Sequence, residues 1–440
     1  MKREYSQMRF TILFVIAVAL SFIFCNSTIK AQNKSGGINL SLWKNISTQP
    51  YDSLQTTYLN LGVTSRLNRL NGIGVNAISS VAAKDVNGIQ ISGLSNVVGG
   101  SVRGVQLSGL CNINGNNASG IIGAGIANVI GDNLQGAGIS GLMNITGDNC
   151  RGVLLSGLMN ITGSNSSSIE IAGLLNIGGG SSSRGVKVAG IGNIIGENLS
   201  GIAAGGLINV CGKNVNGIQI ASLANISGKQ TNGLQLSALG NISVNANGLQ
   251  VAGISNIAKK LNGSQISILN IADDVTNGVQ VGLVNYSRSS AKAKFGLVNL
   301  NPSTRYQLMI FGGNTTKGNL AVRFRNELFY TMLGMGTYCL ESGKKFSAST
   351  FYRTGLRKEF ARNWSVSGDI GFQHIETFDN KGTDNIPARM YSLQARLNVE
   401  YQMTNNFGIF ASGGYNQTNR YSGGGTYEKK PIAELGIILF

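Results

Sequence analysis

Four prolines serve a chain of 440 residues that holds 62 glycines. The glycines follow no three-residue period and branched aliphatics are abundant, which excludes a collagen and a disordered tail alike. Charged residues make up only 12%, about half the share usual in a soluble globular domain. Histidine occurs once, as His374. A metal centre or a Ser-His-Asp arrangement built on it would need partners that the sequence does not place, so it reads as a strand-surface residue and no metal or cofactor is implied. Aromatic residues are missing altogether between Tyr58 and Tyr286. Beyond Cys25 the cysteines are Cys111, Cys150, Cys211 and Cys339, and the first three fall at different places in a repeated phrase. They would not stack as disulfide partners and read as small apolar fillers. The formal charge of +17 raises the question of nucleic acid. No run of Lys and Arg, no basic helix and no aromatic-basic patch accompanies it, and residues 72–286 hold nine basic against seven acidic side chains. That pattern speaks against a nucleic-acid partner.

The chain opens on Lys2, Arg3 and Arg9 ahead of an apolar run, FTILFVIAVALSFIF. These are the n-region and h-region of a secretory signal peptide, assigned to residues 1–31 with cleavage after Ala31. The run is short for a membrane span. Phe24 stands before Cys25 where lipid attachment wants a small residue.

What the chain has in plenty is one phrase. Its clearest copies are GIQISGLSNV at 88–97, GVQLSGLCNI at 104–113 and GLQVAGISNI at 248–257. The asparagine recurs as Asn96, Asn112, Asn128, Asn144, Asn160, Asn176, Asn193, Asn209, Asn225 and Asn241, then at the tighter spacing of 256, 270, 285 and 299. No copy carries a helical stripe, and β-branched residues with glycine punctuation point to short strands. Val105 and Leu107 alternate with polar residues, but Leu110 falls out of phase, which places a bend at Ser108–Gly109. The sequence therefore predicts a β-solenoid over residues 72–300 in which each unit makes one coil. Neighbouring coils pair in parallel about 4.8 Å apart and carry the same residue at the same height. The asparagines stack into a structural ladder, each amide donating to the next coil. Aliphatics such as Val153, Leu155 and Leu158 are expected inside, and Gln106, Lys187 and Gln219 outside. Residues 32–71 read as an N-terminal cap with a divergent copy, GINLSLWKNI at 37–46, followed by an insertion. The alternative is one large antiparallel membrane barrel with a strand per unit. The missing aromatic girdles weigh against it, as does the identity of successive units, which parallel stacking rewards.

From residue 301 to 440 aromatics and charges return in alternating segments such as YQLMIFGGN, NLAVRFRNELFYTMLGMGTY and PIAELGIILF. About seven antiparallel strands are expected, with FGLVNLN at 295–301 as a further candidate. Long amphipathic strands with Phe, Tyr and Trp near their ends are the pattern of outer-membrane barrels. The terminal Phe440 is similar to the signal by which such barrels are recognised for insertion, which implies the outer membrane and its barrel-assembly machinery as partners.

The segments GVQVGLVNY and FGLVNLNPSTRYQLMIFGGN, with ELFYTMLGMGTY and PARMYSLQARLNVEY after them, resemble the surface-repeat proteins described from spirochaetes and widespread in Bacteroidetes. The resemblance covers nearly the whole mature chain. It implies an exported, envelope-associated protein and carries no catalytic residues. The sixteen-residue units of this chain are longer than the fourteen-to-fifteen-residue version.

The expected class is thus an all-β, non-enzymatic protein of the outer membrane or cell surface, in a structural or adhesive role. An amide-rich solenoid face is a candidate for surface polysaccharide or a host ligand. A transport barrel is the alternative. A carbohydrate-active solenoid would need gathered carboxylates, whereas Asp132, Asp148, Glu170 and Glu197 read as single turn residues.

Overall fold

A computed structural model of the chain describes residues 37–43, 46–49, 51, 55–289, 293–326, 328–337, 340–341, 345–378, 387–421 and 425–439. The signal-peptide assignment, Cys339 and Phe440 lie outside the described residues. The fold is all-β, with a parallel solenoid of about 15 turns and a closed antiparallel eight-stranded barrel at the C-terminus. The chain divides into two compact units after Gly120.

In the first unit, Ile38–Trp43 pairs in parallel with Thr56–Leu67, and that strand with Arg69–Ala82. From there each coil repeats one plan: a long strand such as Val86–Ser92, a corner at Gly93–Leu94, and a short strand such as Ser95–Val98. Val86 lies against Val102 and Asn96 against Asn112, so like stacks on like. The second unit uses the same coil, from Ala127–Ile130 paired with Met143–Thr146 to Val284–Ser287 paired with Val298–Leu300. Coil joins coil in parallel in both units, whereas a membrane barrel of hairpin strands pairs antiparallel. The large-barrel alternative is thereby overturned for the repeats.

The corner falls where Leu110 loses phase, between Val102–Ser108 and Cys111–Asn114. Coils approach so closely that some positions admit only glycine. Gly217 has φ of +142°, and a Cβ there would stand 2.0 Å from the Gly201 carbonyl oxygen.

The orientation of the side chains reverses the expectation. Gln106, Lys187 and Gln219 are buried inside the coils, while Leu107 and Leu110 are exposed. In the coil that reads GVLLSGLMNITG, Leu154 is buried but Val153, Leu155 and Leu158 lie half-exposed on the outer side. The reason is phase. The asparagine stacks inside, and the alternation across the coil then carries Gln, Ser and the residue two before the glycine inward and the flanking aliphatics outward. The rule that aliphatics seek the interior belongs to proteins surrounded by water.

The second unit ends in a barrel of strands β1 (Arg305–Gly313), β2 (Gly318–Arg325), β3 (Phe329–Thr337), β4 (Lys345–Ala361), β5 (Trp364–Thr377), β6 (Arg389–Thr404), β7 (Phe407–Arg420) and β8 (Thr426–Leu439). Each pairs antiparallel with its neighbour in sequence, and β8 closes on β1. The barrel thus has eight strands of its own rather than about seven. Residues 298–300, offered as a barrel strand, belong to the last solenoid coil.

Candidate functional site

Two amide ladders run inside the coils in opposite senses. Asn96 donates to Asn112 at 2.9 Å in the first unit. In the second, Asn128 donates to Asn144, Asn144 to Asn160, Asn160 to Asn176, Asn176 to Asn193, Asn193 to Asn209, Asn209 to Asn225 and Asn225 to Asn241, at 2.8–3.0 Å. The row continues to Asn299. A second proton from each amide goes to a backbone carbonyl of the following coil, as from Asn193 to Ala204 at 3.0 Å. The glutamine row donates backwards: Gln106 to Gln90 at 3.0 Å, and Gln235, Gln250, Gln265 and Gln280 each to the glutamine before it at 2.8–2.9 Å. Opposed rows of amide dipoles offset one another along the axis.

In the glutamine row Glu170 and Lys187 replace two rungs, with Lys187 Nζ 2.5 Å from Glu170 Oε1 and both buried. Glu170 is therefore an interior residue of a strand, not the turn carboxylate expected. Ser168 donates to the same carboxylate oxygen at 2.7 Å, and Lys187 donates to Ser166 at 2.9 Å. Burial, with Glu170 adding to it, pushes the nearby Cys150 thiol up to about 12. Cys111, Cys150 and Cys211 are free thiols. Lys294 takes the glutamine place after Gln280, and desolvation lowers its ammonium to about 8.

The barrel has the same inverted character. Arg323 grips Glu400 with both terminal nitrogens, at 2.5 and 3.0 Å, and donates through Nε to Gln307 at 2.7 Å. Arg353 holds Glu434 in a second two-pronged pair at 3.1 and 3.2 Å. Arg396 lies 3.5 Å from Glu434 and 3.6 Å from Asp369, whose other oxygen accepts from Tyr330 and Asn398 at 2.7 Å. These groups come from β1, β2, β3, β4, β5, β6 and β8, and all are buried. An eight-stranded barrel is just wide enough for side chains to fill, and this one is filled by these ion pairs together with an apolar cluster that includes Met309, Phe311, Met332, Phe351, Phe410 and Ile438.

The outer wall is apolar. Along β5 and β6 the outward pairs run Trp364 with Tyr401, Val366 with Val399, Gly368 with Leu397, Ile370 with Ala395, Phe372 with Leu393 and His374 with Tyr391. Leu397 is 69% exposed and Leu435 71%. Aromatic pairs mark both ends, Trp364–Tyr401 and Tyr306–Phe324 at one, Phe372–Tyr391 and Tyr391–Tyr421 at the other. From Trp364 to His374, at about 3.3 Å per residue and a tilt of roughly 40°, the wall rises about 25 Å, the height of a barrel's lipid-facing band. His374 sits in the second girdle, its Nδ1 3.1 Å from the Tyr421 hydroxyl.

The last solenoid coil meets this wall. The Tyr352 hydroxyl donates to the Gly296 carbonyl at 2.7 Å, and Asn326 Nδ2 to that of Asn299 at 3.0 Å. The Gly296 carbonyl also accepts from Asn299 Nδ2 at 3.2 Å.

Sequence reasoning missed the barrel's ion pairs. Arg353 and Glu434 are 81 residues apart, and only the alternation Arg396, Asn398, Glu400 signals that one face of β6 is polar and turned inward.

No protein-family model and no curated protein matches the chain. Among solved structures, the crystal structure of Neisserial surface protein A matches over 30% of this chain and 93% of its own, at 11% identity and a TM-score of 0.21. So slight a likeness says nothing of function.

Proposed function

We propose that the chain is an outer-membrane protein in which the eight-stranded barrel is the anchor and the solenoid a non-enzymatic structural or binding module. The observation that carries this is the barrel's outer wall, apolar and bounded by aromatics, around a core that holds buried ion pairs. In water such a wall would be a liability, and in lipid it is the stable arrangement. A filled core supports anchoring over transport. The resemblance to surface-repeat proteins supports an envelope location as well.

The connections give a direction. Two residues each, 362–363 and 405–406, join strands at the end of the barrel where β1 begins and β8 finishes, whereas at the other end four residues separate β1 from β2, seven β3 from β4, eleven β5 from β6 and five β7 from β8. Outer-membrane barrels keep short turns on the periplasmic side. We read the solenoid, which enters at β1, as periplasmic. The amide face suggested for a polysaccharide is not available on this reading, because Gln106, Lys187 and Gln219 face inward.

The test is refolding into liposomes followed by electrophoresis with and without heating, and recording across planar bilayers. The expected result is a heat-modifiable, membrane-retained protein without stepwise conductance. A protein that floats free of lipid would end the anchor reading, and discrete channel openings would favour transport.

A further inference from the structure

The solenoid's outer surface is divided lengthwise. One edge carries rows of aliphatics, among them Ile202, Leu207, Ile220, Leu223, Leu236 and Leu239, all exposed. The opposite edge, where coils turn, carries Lys213, Lys229, Lys259, Lys260 and Arg288 with Asp132 and Asp148. Aliphatic rows of this extent go well beyond the ~300–600 Å² of the largest apolar patch on an ordinary soluble monomer.

Resting on the anchor reading above, we propose that the aliphatic edge of the second unit's coils lies in the lipid surface of the same membrane, with the charged edge in water. Two observations choose lipid over a protein. The rows run on to Phe295 and Leu297 in the last coil, and Gly296 between them is held by Tyr352 on the barrel's outer wall, so the edge continues a lipid-facing surface. Protein interfaces are anchored by aromatics and Arg, whereas this edge has no aromatic residue before Tyr286. The backbone poses little obstacle, because each coil satisfies its amides through the next and the barrel donates to two carbonyls of the last. This is the placement of an amphipathic helix at a membrane, made from β-coils.

The test places single cysteines at Ile202, Leu207, Lys213 and Leu397 of the full chain carrying Cys25→Ser and Cys339→Ser. Cys111, Cys150 and Cys211 have their thiols pushed up by burial and compete little for label. Each variant is folded in detergent, labelled there with an environment-sensitive fluorophore, and reconstituted into phosphatidylcholine–phosphatidylglycerol vesicles with and without brominated phosphatidylcholine. The expected result is quenching of severalfold at positions 202, 207 and 397 and none at 213. Quenching at 397 alone overturns the edge proposal and leaves the anchor standing. No quenching anywhere removes both. Quenching at 213 as well means a fully immersed solenoid and overturns the surface placement. Unquenched 202 and 207 that cross-link between molecules mean that a second copy covers the edge, which also overturns it.

Discussion

Asn193 gives one amide proton to Asn209 and one to the Ala204 carbonyl, and its own oxygen accepts from Asn176. Leucine has nearly the same volume but none of these functions. Asn193→Leu strands a donor on one side and acceptors on the other in a buried space, at about 1–3 kcal/mol for each group. We expect a loss of about 3 kcal/mol or more by urea unfolding in detergent, and a loss below about 1 kcal/mol would mean that the rungs contribute little. Lys294 tests the other row. Its folded-state value of about 8 lies below the ordinary 10.5, so folding expels a proton between these values. The unfolded chain then binds more protons, and stability rises as pH increases through the window from about 8 to 10.5. In Lys294→Gln that rise should vanish from thermal melts. The new amide would also be placed to donate to Gln280 Oε1, which has no partner among the described residues, so the variant should be the more stable one at neutral pH.

At the scale of the element, a coil depends on glycine as much as on its ladders. Gly217→Ala puts a Cβ 2.0 Å from the Gly201 oxygen on a backbone with φ of +142°, and a cost above about 1 kcal/mol is expected from the melting temperature. In the barrel, Arg353→Met leaves Glu434 buried with only the more distant Arg396 beside it. Removing one partner of such a pair costs about 3–5 kcal/mol, so the single variant should unfold at lower urea than the double variant Arg353→Met with Glu434→Gln. Much of the element level is legible in the sequence. The displaced Leu110 locates the corner, and an asparagine repeated at one height locates the stacking. What stays hidden is which side of each strand faces in, because the rule for water-soluble cores turns Val105 and Leu107 inward. Lys187, expected outside, sits inside because it occupies the glutamine position of its coil, where Glu170 of the preceding coil meets it. The barrel lumen is hidden for a different reason: the pairing of Arg323 with Glu400 follows from closure of the sheet and from no local spacing.

At the scale of the molecule, the solenoid coils and the barrel share one trait: paired polar groups lie inside, beside apolar rows such as Leu134, Leu154 and Leu199 in the coils and Phe311, Phe351 and Phe410 in the barrel, while further aliphatics line the outside. On the anchor reading proposed above, the exposed leucines and the buried ion pairs both follow from lipid around the barrel. The most direct test is cryo-electron microscopy of the full chain in lipid nanodiscs. We expect an eight-stranded barrel spanning the disc, with Trp364 and Tyr391 at opposite faces of the lipid. A barrel standing clear of the disc in solvent would mean that the apolar wall serves something other than a membrane.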